Sequence, residues 1–189
     1  MINLRNLLAA SLLCSSISAQ ALELSLSSND ISHGQYMTKA QEFNGFGCGG
    51  QDSSPHLAWT NAPKGTKSFA ITAYDPDAPT GSGWWHWQVI NIPTSTTELP
   101  TNAGASADDN KEQLLPEKSR QMINDYGVKA FGGACPPVGH GVHRYRFTVH
   151  ALSVESLELP EKPSAALVGY MINANTLAIS TIEALYRRD

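Results

Sequence analysis

Charge is in short supply in this chain. Thirteen Lys and Arg and seventeen Asp and Glu among 189 residues leave a formal charge of −4, and like charges gather neither into a block nor onto a basic helix face. That excludes attraction to nucleic acid, or to an anionic membrane, through net charge. Also missing is an apolar run of the ~20 residues that cross a bilayer; Leu7 to Leu13 falls far short. No G-x-S-x-G elbow, H-E-x-x-H pair or G-x-x-x-x-G-K-[ST] loop occurs, so these local signatures of a serine hydrolase, a zinc protease and a P-loop nucleotidase are absent. Internal repeats and low-complexity segments are absent too. Cysteines number three, and none is spaced C-x-x-C.

What is present begins with an exported-protein leader. Arg5 supplies a positive start, Leu7 to Leu13 a short apolar stretch, and Ala19-Gln20-Ala21 an A-x-A cleavage signal. Leu13 before Cys14 is bulkier than lipoprotein processing accepts. The expectation is therefore a cleaved signal peptide over 1–21 and one periplasmic or secreted domain over 22–189, free of membrane insertion. Without Arg5 the mature chain has 12 basic and 17 acidic residues, a formal −5. Cys48 and Cys135 remain, and in an oxidising compartment their single pairing is a disulfide. The competing reading, a two-thiolate metal site, lacks the close spacing such sites show.

Apolar residues make up 41% of the chain, enough for a core, and their patterning is mostly of period two. Short strand-like runs alternate with Gly and Pro, the mark of a mainly antiparallel β protein. Strands are predicted over 22–26, 68–74, 85–92 and 143–152. In the last, Tyr145, Phe147 and Val149 face one way and Arg144, Arg146, Thr148 and His150 the other. From Ala165 the period changes: Leu167, Tyr170, Met171, Ala174, Leu177 and Ala178 outline an amphipathic helix, with Ser164 as N-cap. Residues 182–186 either prolong that helix or form a last strand, the latter preferred. The polar stretch 93–124 hides a short helix around 109–115 or is a functional flap.

Two loop–strand junctions concentrate the chemistry. In YDPDAPTGSGWWHW (74–87), Pro76 and Pro79 stiffen a loop that presents Asp75 and Asp77, and His86 opens the next strand. Asp75 and His86 stand at neighbouring strand ends, within reach of a hydrogen bond. On this stretch alone, an Asx-type turn with a satisfied core histidine is the simpler account. In CPPVGHGVHRYRF (135–147) the arrangement repeats, with His143 at the strand entrance and Gly139 and Gly141 leaving N–H groups open to an anion. Together the junctions read as two sides of one pocket. Alternation makes Trp85 and Trp87 core and leaves Trp84 for the pocket rim.

DPDAP (75–79), W-x-H (84–86) and P-P-x-G-x-G-x-H-R (136–144), in this order, resemble the signature blocks of the phosphatidylethanolamine-binding protein family, which includes the Raf kinase inhibitor protein. Segments 43–59, 124–137 and 166–175 resemble its exported bacterial branch. The resemblance implies a large central antiparallel sheet with a smaller sheet and peripheral helices, including one near the C-terminus. It also implies a small pocket for phosphate, phosphoryl or phospholipid head groups, lined by Asp75, Pro79, His86, Pro137 and His143. Asp77 and Arg144 are expected to brace the two loops as a pair. Ala130, Ala134-Cys135 and Asp52 depart from the usual family residues and bear on the pocket rim.

An acidic chain holding an anion needs local positive character, and protonated His86 and His143 with backbone N–H groups are expected to supply it, so that binding weakens as pH rises past the histidine range. Neither a cofactor nor a metal is called for. The alternative function is a metal-assisted or acid/base hydrolase using Asp75, His86 and His143. A third reading makes the pocket and its aromatic rim a grip for an unnamed protein partner.

Overall fold

The computed structural model describes residues 22–106 and 114–189; the expected leader, and most of the short helix expected around 109–115, lie outside them. The architecture is mainly β. Strands β1 (Ser25–Ser27), β2 (Leu57–Thr60) and β5 (Glu98–Leu99) form a small antiparallel sheet in the order β1-β2-β5. Strands β3 (Ser68–Asp75), β4 (Trp84–Pro93), β6 (Arg120–Gln121), β7 (His143–Leu152) and β8 (Thr176–Tyr186) form the large antiparallel sheet, ordered β6-β4-β3-β7-β8. Helix α1 (Ala165–Asn175) runs directly into β8.

The large sheet is covered on both faces. Phe69, Ile71 and Ala73 of β3, Trp87 and Val89 of β4, and Tyr145, Phe147 and Val149 of β7 pack with Leu57, Trp59 and Leu99 of the small sheet in one cluster. Ala70, Ile90 and Leu152, on the opposite face, meet Val168 and Ile172 of α1. Burying each large apolar side chain contributes roughly 1.5–3 kcal/mol. α1 lies close because Gly169 faces Trp85; a Cβ there would stand 2.8 Å from Trp85 Cζ2.

The predicted strand over 143–152 is β7, with the expected facing. Three readings need correction. The first strand is Ser25–Ser27 rather than 22–26, because its ladder pairs Ser25 with Thr60 and Ser27 with Ala58. The helix stops at Asn175, and Leu177 and Ala178 belong to β8. Thr176 ends the helix, its N–H bonded to Asn173 O and its Oγ1 to Ile172 O; from there pairing with β7 runs from Leu152 to His143 and outweighs the helical spacing. Third, Trp85 is not core. Ala73 pairs with Trp87 but Tyr74 with Trp85, so His86 is an extra residue, a β-bulge. The bulge turns Trp87 inward with His86 and leaves Trp85 half-buried on the helix side against Tyr74, ring centroids 4.5 Å apart.

Candidate functional site: a cleft at the ends of β3, β4 and β7

The cleft forms where three neighbouring strands end or begin. Asp75 is the last residue of β3, and the Pro76–Pro79 loop follows. Asp75 Oδ1 accepts the N–H of Asp77 at 2.8 Å, an Asx turn. Asp77 then reaches β7: its Oδ2 accepts Arg144 N and Nε, each at 2.9 Å, and its Oδ1 accepts Arg144 Nη2 at 2.7 Å. This forked pairing ties the DPDAP loop to the β7 entrance. The guanidinium holds the Asp77 carboxyl down at about 2.

His86 is buried, and its Nδ1 donates to Gly132 O at 2.7 Å. Burial drives its pKa below the usual imidazole range, against smaller opposing effects of that bond and of Asp75. It is therefore neutral, with Nε2 left as an acceptor. The segment carrying Gly132 is knotted by buried Asn124, which donates to His86 O and Ala130 O and accepts from the N–H groups of Tyr126 and Val128. Asp52 accepts from Gly133 N and Asn44 N, joining this segment to the 43–50 loop. The Cys48–Cys135 disulfide joins the same two loops.

The resulting cleft has a volume of about 160 Å³, below the roughly 300–1,000 Å³ of sites for drug-sized ligands. Asp75, Pro79, His86, Pro137 and His143 all line it. The expected Asp75–His86 hydrogen bond is not made. Asp75 Oδ2 instead accepts from His143 Nδ1 at 2.7 Å, and the other nitrogen of His143 meets His140 Nδ1 at 2.7 Å. His86, on the far side of β3 from β7, is turned toward Gly132 by its bulge. With its protonation disfavoured, it does not supply the cationic character expected of it.

Phe46, Trp84, Tyr126 and Tyr145 also line the cleft. Tyr126 stacks on Phe43 with centroids 4.0 Å apart and meets Trp84 edge-on at 5.2 Å. Tyr145 lies edge-on to His86 at 5.1 Å. Burial, and the charge of Asp75, push both phenols upward, so they remain protonated donors. Tyr126 gives its proton to Gly133 O. Trp84 Nε1 is buried with no hydrogen-bond partner, and Tyr145 Oη, also buried, has the Asp75 carboxylate as its neighbouring acceptor, which adds to the rise of its pKa. Strand alternation from His143 places Tyr145 on the cleft face, a signal available in the sequence. Phe46 and Tyr126 carry no such local signal, since contacts distant in sequence bring their loops together.

Among the described residues, no three His, Cys, Asp or Glu side chains converge as a metal-holding group, and no helix is long and apolar enough to cross a membrane. A two-sheet β fold with a helix near the C-terminus and a small aromatic-walled cleft defines the class of protein. A match to the phosphatidylethanolamine-binding protein family covers residues 27–187, and the chain belongs to that family. The UPF0098 protein YbcL of Escherichia coli is 51% identical over 169 residues, 89% of this chain and 90% of the relative. YbhB of the same organism is 44% identical over 163 residues, 86% and 99% of the two chains. The crystal structure of Escherichia coli YbcL, described as a new member of the mammalian PEBP family, superposes with a TM-score of 0.83 at 49% identity, covering 89% of this chain and all of that one. A phosphatidylethanolamine-binding protein homolog of Chlamydia trachomatis shares the fold, with a TM-score of 0.69 at 24% identity, covering 88% and 99%.

Proposed function

We infer that the chain is an exported, non-catalytic binding protein whose cleft takes a small phosphoryl head group of the phosphoethanolamine kind. On this reading residues 1–21 are removed on export and 22–189 act as one domain. The observation that carries it is the make-up of the cleft wall, where the phenol of Tyr145 and the indole of Trp84 stand beside the Asp75–His143 pair.

The remaining inventory favours a zwitterion over a bare anion. His86 Nε2 is an acceptor suited to an ammonium N–H, and the faces of Phe46, Trp84 and Tyr126 suit a cation. Asp75 has one oxygen committed to Asp77 N and the other to His143, which tempers its repulsion of a phosphoryl group. The hydrolase alternative has weaker support. Asp75 and His143 pair as an orienting carboxylate and base would, yet the free end of that base meets His140 rather than a hydroxyl or thiol nucleophile.

Calorimetric titration with O-phosphoethanolamine, inorganic phosphate and ethanolamine tests the reading. O-phosphoethanolamine is expected to bind most tightly, and Tyr145→Phe to weaken it about tenfold, the worth of one hydroxyl bond to a charged partner. Absence of binding by all three would overturn the assignment. For export, sequencing the N-terminus of the protein recovered from outside the cytoplasm should find residue 22 first; an intact Met1 there would refute cleavage.

A further inference from the structure

On the face of the large sheet turned toward α1, the register sets side chains in rows. Tyr74 of β3 pairs with Arg146 of β7, and Arg146 with Glu183 of β8; one row on, Thr72 pairs with Thr148, and Thr148 with Thr181. A sheet face covered by a helix is ordinarily apolar, and where α1 packs on this one the residues are Ala70, Ile90 and Leu152. The threonine row is polar yet is not an open surface: Thr72 is 5% exposed and Thr148 9%. Both lie in a groove of about 210 Å³ between the sheet and α1, which Trp85, Arg146, Asn173 and Thr181 also line. No residue lines both this groove and the cleft.

The polar groups of the groove are only partly spent. Thr72 Oγ1 meets His150 Nε2 at 3.2 Å, and Thr148 Oγ1 meets Thr181 Oγ1 at 2.9 Å. Two hydroxyls bonded to each other use one of their two protons, so this pair keeps one O–H to donate and lone pairs to accept. Arg146 gives only its Nε to Glu183, at 3.0 Å. Among the described residues its Nη groups and the Asn173 side chain make no hydrogen bond. The Glu183 carboxylate offsets the guanidinium charge and disfavours an anion beside it. What the set suits is a ligand whose groups both donate and accept, with an apolar face for the half-buried Trp85 ring.

We propose that this groove is a second binding site, for a neutral polyhydroxyl compound of single-ring size, a monosaccharide or a cyclitol. Its hydroxyls accept from Arg146 and exchange hydrogen bonds with the Thr148–Thr181 pair, and one ring face rests against Trp85. The site is independent of the head-group reading of the cleft.

Nitrogen–proton correlation NMR of the purified protein, titrated separately with D-glucose, myo-inositol and acetate, tests this. At least one of the two polyols is expected to shift the side-chain N–H signals of Trp85 and Arg146, with a Kd of roughly 1–10 mM. Arg146→Gln, a change at a half-exposed position, should weaken binding about fivefold, and Thr148→Val should do the same by removing the middle hydroxyl. If Thr148→Val fails to fold, Arg146→Gln still decides. Saturation with O-phosphoethanolamine should leave the polyol affinity unchanged. No shift with either polyol, a shift with acetate alone, or full affinity in Arg146→Gln would each overturn the second site, and none of these touches the head-group reading. Competition between polyol and O-phosphoethanolamine would place the polyol in the cleft and overturn it too.

Discussion

Acidification should expose one histidine far from the cleft. His150 lies between the large sheet and α1, only 7% exposed. Its Nδ1 is 3.4 Å from Thr176 Oγ1 and its Nε2 3.2 Å from Thr72 Oγ1. Thr176 spends its proton on Ile172 O, so it accepts from Nδ1, and Nε2 accepts from Thr72. A second ring proton has nowhere to go, and burial lowers the pKa of His150 from 6.5 to about 4. The folded-state value is depressed, so the contribution to stability is fully present above 6.5. Below that the unfolded chain takes up a proton that the native state refuses, and stability falls by about 1.4 kcal/mol per pH unit until about pH 4. Between pH 7 and 5 the loss is about 2 kcal/mol, or about 4–8 °C in melting temperature for a chain this size. His86, with its pKa shifted the same way, adds to it. Urea unfolding followed by tryptophan fluorescence at pH 7, 6 and 5, in the unaltered protein and in His150→Asn, isolates the contribution. The variant should lose about 2 kcal/mol less across that range, whatever its stability at pH 7. An unchanged pH slope in the variant would refute the assignment of His150 as a buried neutral imidazole.

In Arg144→Ala the Asp77 carboxyl should titrate upward from about 2 toward 3.8, as read by carboxylate NMR. Because its folded value is depressed, the contribution of Asp77 to stability is present above 3.8 and lost as pH falls through about 2; a carboxyl still titrating near 2 in the variant would show that Arg144 is not the cause. Reducing Cys48–Cys135, which closes a sequence separation of 87, should lower unfolding stability by at most about 4–5 kcal/mol, the chain-entropy figure for such a loop. Urea midpoints with and without a phosphine reductant measure it, and coincident curves would rule out the contribution. The same reduction should weaken O-phosphoethanolamine binding, since Phe46 and Pro137 lie on the two joined loops; unchanged affinity would show that the loops hold the cleft unaided.

The parts legible in the sequence are those in which one local period prevails. β7 alternates without interruption and matches its predicted limits, and Ser164 caps α1 by accepting the N–H of Leu167. Reading failed where two periods coincide: Leu177 and Ala178 fit both a helical stripe and an alternating strand, and a long-range ladder decided between them. It failed again at the His86 bulge. An extra residue in a strand has no compositional mark here, yet it reverses the parity of everything before it, which is why Trp85 and Trp87 part company. The brace between Asp77 and Arg144 followed from two motifs known to lie together. The network around Asn124 and Asp52 did not, because its partners are mostly backbone groups that every residue possesses.

The choice of partner for Asp75 turns on sheet order. Closeness in sequence pointed to His86, eleven positions on, at the start of the strand that follows the DPDAP loop. In the sheet, however, β3 lies between β4 and β7, and both neighbours flank it equally. Hairpin connection therefore gives β4 no geometric advantage over a strand whose His143 is 68 residues away. Orientation decides instead. Tyr74 pairs with Arg146, so Asp75 emerges beside Tyr145 and His143 on the cleft face, whereas the bulge in β4 commits His86 Nδ1 to Gly132. One histidine is thus left neutral and available as an acceptor, and the other is bonded at both nitrogens. That division makes donors, an acceptor and aromatic faces, rather than paired imidazolium charges, the means by which this cleft would hold a head group.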